Sequence, residues 1–125
     1  MTSCTGPAVL DLHILTGMYG DNSAVTICQV LSSFRAEANS YIDYLQQALQ
    51  TQDYPEVARL SHSLKSMCGL VGACQLMTLC QRTELAARQG DKVALDDCQQ
   101  ELAIVWRTLM LQLHHTLQEH GHANV

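Results

Sequence analysis

Of the six histidines in this 125-residue chain, His62 has neighbours suited to a residue that carries a charged group. One helical turn before it stands Ala58, one turn after it Ser66, and two turns after it Gly69. Lys65 and Arg59 flank it on either side, where an ammonium and a guanidinium could sit near an anion on the ring. A neutral imidazole is a competent nucleophile at cell pH, and the phosphoramidate it forms is still a good phosphoryl donor. An exposed histidine in this setting can therefore act as a reversible phosphoryl relay. Nothing near it supplies a carboxylate cluster for Mg2+, and the chain has no Gly-rich phosphate loop or Walker-type lysine motif. The chain should have no cofactor and no autonomous catalytic centre of its own, so the metal has to come from a partner.

That chemistry requires a helix with His62 on its outer face. The apolar residues Val57, Leu60, Leu64, Cys68 and Val71 fall within about 80° of one another at about 100° per residue, and His62 points about 165° from the middle of that stripe. Asp53 can cap this helix, Pro55 is tolerated in its first turn, and Gly72 is a break or bend at its end. Small residues on an exposed face, one of them a glycine costing about 1 kcal/mol relative to alanine, gain the fold nothing. They do clear an approach to the imidazole, which makes Ala58, Arg59, Ser66 and Gly69 the expected partner-docking residues.

Around this helix the periodicity predicts a short helix over residues 8–16 and a break at 17–22, where Asp21 or Asn22 can cap the next helix. That long helix spans 23–51, with Val25, Ile27, Val30, Leu31, Phe34, Ala38, Tyr41, Ile42, Leu45, Ala48 and Leu49 on one stripe. Beyond the histidine helix, one over 73–89 places Leu76, Leu79, Cys80, Thr83 and Ala87 inward and ends at Gly90. Asp91 then caps a last helix over 92–119, built on Val93, Leu95, Leu102, Val105, Trp106, Leu109, Leu113 and Leu117. Short connections make neighbours antiparallel, so the expected fold is all-α: an up-down-up-down four-helix bundle with an additional short N-terminal helix. One domain accounts for the length, with the bundle spanning about residues 8–119. Such a bundle buries its own stripes and is expected to be monomeric.

Composition excludes several functions. With 7 Lys and Arg and a net charge of −5, no basic stripe can follow a phosphate backbone, so nucleic acid is not an expected partner. No apolar run reaches the roughly 20 residues needed to cross a bilayer and no signal-peptide pattern opens the chain, so a cytoplasmic location without membrane insertion is expected. A membrane anchor could still belong to a larger receptor from which the chain was cut. The six cysteines form no C-x-x-C pair and read as small core hydrophobes. One rival reading takes His114, His115, His120 and His122 as metal ligands, but only some of those pairs have ligand spacing and Gly121 interrupts them. Another takes the bundle as a docking or regulatory module that carries no phosphate.

The run His62-Ser63-Leu64-Lys65-Ser66, followed by Gly69, Gly72 and Ala73, resembles the His-x-Leu-Lys-Gly signature and Gly-Ala ending of histidine-containing phosphotransfer (HPt) domains. Asp53-Tyr54 with Val57, Leu60 and Ser61 resembles the family's approach to its histidine. Leu76, Leu79-Cys80, Glu84 and Gly90-Asp91 resemble its next helix and turn, so the likeness spans roughly residues 9–115. It implies a phosphorelay intermediate that accepts a phosphoryl group from a response-regulator receiver aspartate onto His62 and passes it to another receiver. Lys65 would be the supporting cation, Gly69 would give close access, and Mg2+ would be bound by the receiver. Members of the family often sit at the C-terminus of hybrid sensor kinases. Ser66 replaces the usual glycine, and its hydroxyl is placed to hydrogen-bond the ring or the phosphoryl group. The family's polar residue from the adjacent helix would be Gln81 or Glu84, and Thr83 stands where leucine is common.

Overall fold

The computed structural model describes residues 8–20 and 23–122, which form five helices: α1 Leu12–Tyr19, α2 Ala24–Gln50, α3 Tyr54–Val71, α4 Cys74–Gln89 and α5 Lys92–His122. Cap residues set both ends of α3, the end of α4 and the start of α5. The Asp53 carboxylate accepts the Glu56 N–H at 3.4 Å and Pro55 occupies the first turn of α3. Asp91 accepts the Ala94 N–H at 3.1 Å at the start of α5. Gly72 and Gly90 close α3 and α4 in the left-handed conformation, at φ of 80° and 66°. The α2 cap differs from expectation. Ser23 accepts the Thr26 N–H, while Asp21 and Asn22 lie outside the described residues.

One core joins all five helices. Leu31, Phe34, Ile42 and Leu45 of α2 meet Val57, Leu64 and Cys68 of α3, Leu76 and Leu79 of α4, and Leu95, Leu102, Leu109 and Leu113 of α5, all buried. At about 25 cal/mol per Å² of apolar area, each of the larger side chains contributes about 1.5–3 kcal/mol on burial. Two residues expected in the stripes, Val25 and Val93, are exposed instead. Each is the second residue of its helix. Cys68, Cys80 and Cys98 are buried free thiols, as read from the sequence. Cys74 departs from that reading and is disulfide-bonded.

The first helix runs over Leu12–Tyr19 rather than 8–16, because Asp11 caps it by accepting the His13 N–H at 3.0 Å. The segment before it is strapped to the α3–α4 turn. The Asp11 N–H donates to the Gly72 carbonyl at 2.8 Å, and the Gln75 N–H donates to the Ala8 carbonyl at 3.0 Å. A Cβ on Gly72 would run into the Asp11 backbone, and its φ is one that side-chain-bearing residues rarely adopt. Gly72→Ala should therefore destabilise the fold by roughly 2–4 kcal/mol, read as a lower urea midpoint at unchanged m-value. A midpoint equal to that of the parent would refute the strap.

Candidate functional site

Among the helix pairs, α3 and α4 pack most extensively. Small side chains on the facing surfaces, Ala58, Ser61 and Cys68 of α3 and Cys80, Thr83 and Ala87 of α4, are all buried and let the two backbones approach. Thr83, which stands where leucine is common in the family, donates its hydroxyl to the Leu79 carbonyl at 2.7 Å, whereas the buried Ser61 hydroxyl has no partner among the described residues. This close pairing brings a carboxylate from α4 beneath a histidine on α3.

His62 lies on the outer face of α3 with 58% of its side chain exposed, and the Glu84 side chain below it is 11% exposed. Nδ1 of His62 is 3.1 Å and 3.3 Å from the two Glu84 carboxylate oxygens. The Lys65 ammonium donates to Oε1 at 3.0 Å, and the Arg88 guanidinium donates to Oε2 at 2.8 Å and 3.1 Å. Burial works to push the Glu84 carboxyl up. The hydrogen bonds from Lys65 and Arg88, aided by the charges of Lys65 and His62, outweigh it and hold the carboxyl at about 2. An ionised carboxylate can only accept, so the shared proton sits on Nδ1 and the Nε2 lone pair faces outward.

Because the folded-state value lies below the ordinary 4.5, Glu84 contributes stability that is complete above about pH 4.5 and lost as pH falls towards about 2. Urea midpoints should decline over that window, and Glu84→Gln should flatten the decline. An unchanged slope in the variant would place the acid sensitivity elsewhere.

The other expected site residues divide. Lys65 and Arg59 flank His62, although Arg59 is paired with Glu56 one turn back. Gly69 is half-buried, and a Cβ there would meet only the Met77 sulfur, at 3.8 Å. Ala58 is buried at 7% exposure, so it is not part of an open platform. It lines a recess of about 640 Å³ beside the ring, together with Tyr54, Pro55, Arg59, Ser63, Ala87 and Arg88. Ser66 is exposed, but its hydroxyl donates to the His62 backbone carbonyl at 3.3 Å, not to the ring. The ring's partner from α4 is Glu84, one turn beyond Gln81, which is exposed.

Arg88 was not anticipated, because Glu84 and Arg88 at i, i+4 read in isolation as an ordinary surface pair. The α3–α4 register turns that pair into part of the site. Three of the chain's 7 Lys and Arg, namely Arg59, Lys65 and Arg88, thus gather around one histidine in a molecule of net charge −5. Elsewhere, His115 contacts Glu119 and the His120 ring bonds the Thr116 carbonyl. Among the described residues, no group of three or more His, Cys, Asp or Glu side chains is arranged to hold a metal ion.

A helical bundle that presents a cation-ringed histidine on its outer face is the architecture of a phosphotransfer module. The model of the Hpt domain matches residues 29–120, most of the chain, and the chain belongs to that family. The crystal structure of histidine-containing phosphotransfer protein B (HptB) from Pseudomonas aeruginosa PAO1 has the same fold, with a TM-score of 0.66 at 22% identity. The match covers 88% of this chain and 98% of that one. No curated protein sequence matches the chain. The chain is accordingly a phosphorelay intermediate of two-component signalling, in a family whose members interact with response-regulator receiver domains. Hpt domains in general carry no cofactor of their own. No described helix is long and apolar enough to cross a membrane.

Proposed function

We propose that His62 is the residue that carries the phosphoryl group, accepting it from one receiver aspartate and passing it to another. The observation that carries this reading is the pairing of Nδ1 with Glu84, which leaves Nε2 exposed as the nucleophile. In the inward step the acyl-phosphate P–O bond of the donor aspartate breaks and an N–P bond forms at Nε2. The aspartate regains its carboxylate, and the ring keeps its Nδ1 proton and becomes positive against Glu84. No proton has to leave the nucleophile, and reversing the same steps delivers the group to the second receiver.

Lys65 and Arg88 together carry one more positive charge than the Glu84 carboxylate they share. That surplus lies beside the position a dianionic phosphoryl group would take, so Arg88 joins Lys65 as a supporting cation. The Mg2+ that assists the transfer belongs to the receiver's own acidic site. Gly69 and Ser66 keep the face beyond His62 low enough for the receiver to approach. Past them, Met67, Leu70 and Val71 open onto an apolar groove of about 300 Å³ shared with Tyr19, Val30 and Phe34, which gives a docked receiver an apolar foothold. The described residues act as one domain, monomeric in isolation and cytoplasmic, whether alone or as part of a sensor kinase.

The test is reconstitution. The protein is incubated with a receiver domain that has been phosphorylated by acetyl phosphate, and acid-labile, base-stable label is followed. Label should leave the receiver and appear on this chain, then return on addition of a second, unphosphorylated receiver. A receiver that binds the protein while its label stays in place would instead favour docking without phosphate transfer.

A further inference from the structure

We infer that Glu84 is a positioning residue for the outward step: its carboxylate keeps the proton on Nδ1 of the phosphorylated ring, so that the phosphoryl group departs from a neutral imidazole. This inference rests on His62 being the carrier. When the N–P bond breaks, its electron pair returns to Nε2. If Nδ1 still holds its proton, the group left behind is neutral imidazole. If that proton has been lost, the leaving group is an imidazolate, which is far more basic and correspondingly slow to leave.

The geometry provides what would hold the proton in place. Nδ1 faces both carboxylate oxygens at 3.1 Å and 3.3 Å, and a hydrogen bond to a charged acceptor favours the charged form of the donor. The carboxylate is itself tied down by Lys65 and Arg88 and stays ionised far below neutral pH, with its carboxyl held at about 2. Around the ring, α4 contributes Glu84 and Arg88, while α3 contributes Lys65, Arg59 and the Tyr54 phenol of the adjoining recess. From α1 and α2, the other helices packed on α3, no described charged side chain bonds to the ring or to Glu84. The cations oppose a positive ring, and the phosphoryl dianion draws them towards itself. Glu84 is then the charge that speaks for the Nδ1 proton.

Glu84→Gln isolates that charge, since an amide oxygen can still accept from Nδ1 and keep the ring in place. Both proteins are loaded with phosphoramidate, freed of it by gel filtration, and mixed with an unphosphorylated receiver domain from about pH 6 to about pH 9. The two rates should converge at the acid end. At the alkaline end the variant should fall about tenfold below the parent, because exchanging a charged acceptor for a neutral one moves the proton's release by about one pH unit. Nitrogen-15 spectra of the phosphorylated ring should show Nδ1 protonated in the parent at a pH where the variant has lost the proton. Parallel rate profiles with matching spectra, on proteins labelled at His62, would overturn the inference and leave His62 the carrier. Label absent from His62 in both proteins would overturn the carrier assignment and the inference together.

Discussion

His62→Gln should take up no acid-labile phosphate from a phosphorylated receiver, a loss limited only by the detection threshold. Glutamine keeps a polar side chain of similar reach that can still donate to Glu84, but it has no nucleophilic ring nitrogen. With 58% of the His62 side chain exposed, the fold should lose less than about 1 kcal/mol, so the missing label cannot be attributed to unfolding. Among the described residues, the other histidines are poor substitutes. His13, His114 and His115 are exposed, but none of them sits on a carboxylate shared with two cations. Normal labelling of the variant would show that the phosphoryl group is carried elsewhere.

Gly69→Leu should slow transfer by about a hundredfold while the fold stays intact. Seven residues beyond His62 on the same helix, Gly69 lies only about 20° around from it, so a leucine there projects across the face a receiver must cover. Transfer needs the reacting atoms about 3–3.5 Å apart and in line, and a misplacement of about 1 Å can cost a hundredfold. The helix itself should tolerate the change. A Cβ at this position meets only the Met77 sulfur at ordinary contact distance, and replacing a glycine in the last turn of a helix recovers up to about 1 kcal/mol of propensity. The expected signature is a melting temperature equal to or above the parent's, together with a collapsed transfer rate. Equal rates in the two proteins would remove the argument for a cleared docking face. A lower melting temperature would show that the glycine serves the fold instead.

The parts of the fold that depend on local chemistry were legible in the sequence. The Asp53 and Asp91 caps, the glycines that end α3 and α4, and the α3 stripe each depend on a few adjacent residues. Long-range contacts were less visible. The start of α1 is set by the local Asp11 cap, but the strap that ties Asp11 to Gly72 joins residues 61 positions apart, and no local pattern encodes it. Val25 and Val93 fit the helical period but stand exposed in the first turns of their helices.

The site divides in the same way. His62, Lys65 and Gly69 share one helix, so their spacing showed their common face. Glu84 could be narrowed only to one of two residues, because choosing it over Gln81 requires the α3–α4 register. Ala58 looked exposed on a projection of α3 alone, but the close approach of α4 through small side chains buries it. Arg88 pairs with Glu84 along α4, but it enters the site only because Lys65 and His62 reach the same carboxylate from α3, a contact that no spacing along either helix reveals.

The central claim, that Nε2 of His62 holds the phosphoryl group, is tested most directly by locating the N–P bond. The protein is phosphorylated by a receiver and examined by phosphorus-31 and ring nitrogen-15 spectroscopy, with the labelled peptide sequenced under alkaline conditions. One phosphoramidate, coupled to Nε2 of His62 with Nδ1 still protonated, is the predicted result. A bond to Nδ1, which the Glu84 pairing forbids, or to any other residue, would contradict the account.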